Sequence, residues 1–157
     1  MKARAGSIAL LFVALAVSAL AGCSRGPAAP VAVDTKNDRC GWCRMAVSDA
    51  RFAAQLVSPS EEPRAFDDIG CLATFLKSGG APAKGQIAYV ADHRTKDWVR
   101  AAAAVYTKKP GLQTPMGSGL VAHADAASRD ADADAAGGAP VSVRDVFGPN
   151  GVPDGGR

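Results

Sequence analysis

Cys40, Cys43 and Met45 stand together in the stretch CGWCRM, in a chain of 157 residues that has only four cysteines and three methionines. Two thiols at i and i+3 face one centre if the backbone turns, which Gly41 favours. Four chemistries use such a pair. A Cys40–Cys43 disulfide would staple the short loop in an oxidising compartment. A structural zinc site takes four ligands, commonly with a second Cys or His pair, and here Cys71, His93 and His123 are scattered along the chain. A thioredoxin-like dithiol needs its first cysteine at a helix N-terminus in a βαβ unit, whereas the residues after Cys43 lead toward a hairpin. A soft monovalent ion, Cu(I), prefers thiolate and thioether donors, which would give Met45 a part.

Two further stretches bear on the choice. Thr114-Pro115-Met116-Gly117 sits between Gly111 and Gly119, where no helix or strand pattern would bury a methionine. A thioether on a stiff turn offers a neutral soft donor that no disulfide can consume; the alternative is a side chain packed at the edge of the core. In FDDIGCL, residues 66–72, the paired carboxylates suit acid–base work or a hard metal. Neither a His partner nor a glycine-rich phosphate loop accompanies them, so Asp67 or Asp68 caps the helix that follows, with a place beside the metal as the second reading. Cys71, one turn into that apolar helix face, reads first as a small buried residue and second as a ligand.

The elements that must position these groups are short. Residues 51–57 and 64–66 read as strands joined across SPSEEP, which makes a hairpin. Residues 69–77 form a helix, with Leu72, Phe75 and Leu76 at helical spacing, an acid before it and Ser-Gly-Gly after it. Residues 86–91 give a third strand. Residues 98–106 are ambiguous between alanine, which favours helix, and Trp, Val and Tyr, which favour strand; we take them as strand. Residues 120–123 give another strand, and 124–136 an Asp/Ala helix closed by Gly137-Gly138. The expected fold is α+β, in two similar small halves of about 38–91 and 92–146, each a short, mainly antiparallel sheet with one helix in a ββαβ-like order. The tail 147–157, with two prolines and four glycines, is expected to be disordered.

The N-terminus says where the protein works. Lys2 and Arg4 precede an apolar run, residues 8–20, that ends in Leu20-Ala21-Gly22-Cys23. Residues 1–22 read as a secretory signal peptide and Cys23 as the lipid-bearing first residue of the mature chain, followed by a flexible tether at 23–37. Removing Lys2 and Arg4 from the 18 basic residues leaves 16 against 15 acidic, a net charge of +1, so no basic surface argues for nucleic acid. Lipidation of Cys23 leaves three thiols, an odd number that excludes a fully paired disulfide framework.

Taken in order, the Cys23 stretch, Cys40-x-x-Cys43-x-Met45, Asp49-x-Arg51-Phe52-Ala53-x-Gln55, Phe66-Asp67-Asp68-x-Gly70-Cys71 and Thr114-Pro115-Met116-Gly117 resemble the accessory lipoproteins of nitrous oxide reductase, the NosL-like copper chaperones. The likeness covers about residues 17–125; after Asp125 the chain departs from the family pattern. The resemblance implies a non-enzymatic carrier of Cu(I), lipid-anchored in the bacterial envelope and facing the periplasm, at the outer membrane. It would hand copper to an ABC-type assembly complex and its periplasmic component, which build the reductase's copper–sulfur centre in denitrification. It also implies that Cys40, Cys43, Met45 and Met116 are the copper-associated residues, with Asp68 and Cys71 as secondary candidates on or beside the metal. The competing classes are a membrane-tethered thiol–disulfide oxidoreductase and a structural lipoprotein stapled at Cys40–Cys43.

Overall fold

All four side chains of Ala54–Val57, strand β1, are buried, which is the pattern of a strand with neighbours on both sides and both faces covered. In the computed structural model, which describes residues 28–79 and 83–156, β1 lies between β2 (Arg64–Phe66) and β3 (Ile87–Ala91), and β4 (Trp98–Arg100) lies outside β3. Every pairing is antiparallel. The expected signal peptide at 1–22 and the lipid attachment at Cys23 lie outside the described residues. The tether does not stay free over its described part: the Tyr89 hydroxyl donates to Ala28 O at 2.8 Å, and the buried Gln55 amide exchanges two hydrogen bonds with the Val31 backbone, at 3.0 and 3.1 Å. A buried glutamine must satisfy its amide, and the segment before residue 38 supplies the partner.

The second sheet has β5 (Val105–Lys108) at its centre, flanked by β6 (Leu120–His123) and β7 (Ala139–Val141), again antiparallel. Helix α1 (Ile69–Lys77) connects β2 to β3, α2 (Ala126–Asp130) connects β6 to β7, and α3 (Val143–Phe147) follows β7. The class is α+β, as expected. In both sheets the strand that comes first in the chain is central, flanked by the second and third, but the first sheet also takes β4. Residues 98–106 are therefore not one strand: after Arg100 the chain turns through small, weakly strand-forming alanines, with the Ala103 and Ala104 N–H groups donating to Arg100 O at 2.9 and 3.1 Å. A division at 91/92 would cut β4 from its own sheet.

The helix expected over 124–136 stops at Asp130. Asp132 turns inward and its Oδ1 accepts the Asp134 N–H at 2.9 Å, a local bond that competes with helix continuation. The tail expected to be disordered is placed: Phe147 is buried with its ring edge-on to Tyr106, centroids 5.6 Å apart. Beyond it, Pro153 O accepts the Ala88 N–H at 2.8 Å and the Gly155 N–H donates to Gln86 O at 2.9 Å. β4 pairs with β3 only from Tyr89 to Ala91, so the tail covers the open edge at Ile87 and Ala88. One main core, with Leu56, Phe66, Ile69, Leu72, Val90, Tyr106 and Phe147, joins both sheets, α1 and α3.

Candidate metal centre

The thiol loop is a tight reversal. Cys40 N–H donates to Met45 O at 2.8 Å, Arg44 N–H to Cys40 O at 3.1 Å, and Val47 N–H to Asp38 O at 2.9 Å. The residue that takes the left-handed conformation is Arg44, with φ of 70°, and not Gly41. Gly41 serves a different end: its N–H donates to Ala65 O at 2.8 Å, and an added Cβ would meet Arg64 at 2.6 Å, so the loop lies flush on β2.

Asp67 and Asp68, between β2 and α1, draw three segments together. Asp67 Oδ1 accepts the Ser48 N–H at 2.8 Å and its hydroxyl at 3.1 Å, which ties down the far side of the thiol loop. Asp68 Oδ1 accepts the Gly70 N–H at 2.6 Å as the N-cap of α1. Asp68 Oδ2 accepts the Thr114 hydroxyl at 2.7 Å and the Met116 N–H at 3.2 Å. The loop seats so closely on the helix that a Cβ at Gly70 would lie 2.8 Å from Ser118 Cβ. Both aspartates are buried, and Asp68 spends both oxygens on positioning.

Cys71 lies on the first turn of α1, and there its thiol meets the loop: the sulfurs of Cys40, Cys43 and Cys71 lie within 4.8 Å of one another, all as free thiols. The reading of Cys71 as scattered from the pair is thus corrected; it is buried and clustered at once. Burial opposes ionisation of Cys40, but backbone N–H groups of Asp67, Trp42 and Cys43 donate to its sulfur and hold the thiol below its ordinary range. Burial pushes Cys43 up, against a bond from the Met45 backbone, and burial followed by the two neighbouring sulfurs pushes Cys71 far above the ordinary thiol range. Of the three thiols, Cys40 is the one whose surroundings favour ionisation. Trp42, Met45 and Met116 are 43%, 48% and 42% exposed.

The two histidines, also read as scattered, are brought together with Asp132 in a second cluster that sequence reasoning missed. The missing signal is long-range: His93 and His123 follow or end strands of different sheets, and His93 N–H donates to Ala122 O at 2.8 Å. Among the described residues no helix is long and apolar enough to cross a membrane.

Comparison with individually curated proteins gives no match. The NosL family model, in contrast, matches residues 30–148, a span that holds the thiol loop, the Asp67-Asp68 junction, the Met116 loop and both sheets, and the chain belongs to the NosL family.

Proposed function

We propose that the protein carries Cu(I) at the outer membrane, anchored through lipid on Cys23 and facing the periplasm. There it supplies copper to the ABC-type complex and periplasmic component that assemble the copper–sulfur centre of nitrous oxide reductase. Family membership and a cluster of three thiols at near-ligating distance are compatible with such a copper chaperone. The observation that carries the reading is the convergence of Cys40, Cys43 and Cys71, with Cys40 the sulfur whose ionisation the neighbouring backbone N–H groups favour. Thiolate and thioether donors select Cu(I) over harder ions.

The graded exposure of the donors suits release as well as capture. Cys40 and Cys71 are buried at 1% and 2%, whereas Cys43 is half-buried and Met45 and Met116 reach solvent. Cargo copper enters as the Cys40 and Cys43 thiols give up their protons to water, and leaves as a partner's donors replace the exposed ligands one at a time, a route that a closed four-ligand site would resist. Anaerobic loading of the mature protein with Cu(I), followed by titration with a chromophoric chelator, tests the assignment. The combined variant Cys43→Ser, Met116→Ala should yield its copper at far lower chelator concentration than the parent. Equal retention by the two proteins would remove these residues from the site.

A further inference from the structure

His93, His123 and Asp132 meet where the two sheets join. His93 follows β3 of the first sheet, His123 ends β6 of the second, and Asp132 lies in the turn after α2. They are 2%, 0% and 8% exposed. Asp132 Oδ2 lies 2.6 Å from His93 Nδ1 and 2.8 Å from His123 Nε2, while the bond from Asp134 N–H to Oδ1 fixes the direction of the carboxylate.

A hydrogen-bonded lock accounts poorly for this group. The outer ring nitrogens, His93 Nε2 and His123 Nδ1, are buried without a partner, and the Phe52 ring covers His93 at a centroid distance of 4.9 Å. Three ionisable side chains buried together, two of them with an unpaired nitrogen, destabilise a fold relative to apolar residues of the same volume. As donors they are well chosen: two imidazole nitrogens and a carboxylate oxygen within 4.8 Å of one another make the three-ligand set of zinc sites that keep a fourth position open. A cleft of about 410 Å³, lined by Asp130, Asp132 and Gly138 among others, lies beside the cluster.

We propose that His93, His123 and Asp132 form a second metal site, for a borderline divalent cation of the Zn(II) kind, distinct from the thiol cluster. Donor softness sorts the ions: nitrogen and oxygen ligands take the divalent cation, thiolate and thioether take Cu(I). Ligation uses the lone pairs of His93 Nδ1 and His123 Nε2, which leaves each ring's N–H on its outer nitrogen. Since the ligands come from both sheets, the ion clamps them together. The proposal does not rest on the copper reading.

The chain has only two histidines, so their ring signals report this site alone. Zn(II) is titrated into the full chain, purified in detergent under reducing conditions, and the imidazole ¹⁵N resonances are followed by NMR. Both rings should shift together, with His93 protonated at Nε2 and His123 at Nδ1 in the zinc-bound form. Cys43→Ser should leave this response intact, and Asp132→Asn should weaken it more than about 100-fold, beyond the 10–100-fold cost of losing an outer partner. Ring signals that stay unmoved in excess Zn(II) overturn the proposal even if Asp132→Asn fails to fold, and so does a folded Asp132→Asn that binds as tightly as the parent.

Discussion

Asp68 holds Met116 in place: one carboxylate oxygen accepts the Met116 N–H at 3.2 Å, and the other caps the helix that carries Cys71. Two segments 48 residues apart therefore share one buried side chain. Asp68→Ala removes the cap and both loop bonds, an expected loss of roughly 2–4 kcal/mol in urea unfolding. Asp68→Asn is more telling. Its carbonyl still caps α1, but its amide turns a donor toward the Thr114 hydroxyl and the Met116 N–H, so Cu(I) affinity should fall more than stability. In a double-mutant cycle with Met116→Ala, the affinity losses should be strongly non-additive; simple addition would show that Asp68 does not act through Met116.

The three thiols should ionise in a set order. Backbone N–H donors hold Cys40 below its ordinary range against the opposing effect of burial, whereas burial raises Cys43 and pushes Cys71 furthest. As pH rises, the metal-free protein should gain thiolate absorbance near 240 nm from one sulfur before the usual range of about 8.5. Cys40→Ser should abolish that first step, and Cys71→Ser should leave it in place. An early step that survives Cys40→Ser would mean that the N–H donors do not select that sulfur.

Local patterns carried the first sheet into view. β2 and α1 lie within the residues expected, and β1 and β3 within a few residues, because turn residues and capping signals bound them in sequence. The second sheet was harder. β4 and β5 are separated only by alanines, so nothing marks the switch from one sheet to the other, and β7 is three residues with a proline. The end of α2 depends on Asp132 turning inward to two histidines, a contact made across 39 residues to His93. The candidate site divides the same way. Cys40, Cys43 and Met45 announce themselves by spacing, and Met116 by the glycines around it. That Cys71 joins the pair follows from what Asp67 and Asp68 hold, which no spacing encodes.

Asp92 fastens the two sheets and should leave an acid signature. Its Oδ1 accepts the Arg94 and Thr95 N–H groups, both at 3.0 Å, and its Oδ2 accepts the Ala124 N–H at 2.8 Å, just past β6. Burial would raise this carboxyl, but the donors outweigh it and the pKa falls from 3.8 to about 2. A depressed folded pKa contributes stability that is complete above the unfolded value and is lost as pH falls through the folded one. The contribution, about 2 kcal/mol, should therefore be full at pH 6 and fade between about pH 4 and 2. Asp92→Asn should be less stable than the parent at pH 6 and draw level with it near pH 2 in urea unfolding; a gap that stays constant with pH would place the loss elsewhere.

Truncation separates a placed tail from a disordered one. Removing residues 148–157 deletes the bonds from Ala88 N–H to Pro153 O and from Gly155 N–H to Gln86 O, together with an exposed ion pair, Arg100 to Asp154 at 2.9 Å. The exposed pair contributes little. The two backbone bonds and the packing of Val152 on the core should contribute roughly 1–3 kcal/mol, seen as a lower urea midpoint. Phe147→Ala, which empties a buried site beside Tyr106, should cost more, about 3–5 kcal/mol. A truncated protein as stable as the parent would show that the edge of β3 at Ile87 and Ala88 does not need covering, and would return this segment to the disorder that its glycines and prolines imply. A loss of the expected size would instead make the tail an eighth strand in all but length, closing the edge that β4 leaves open.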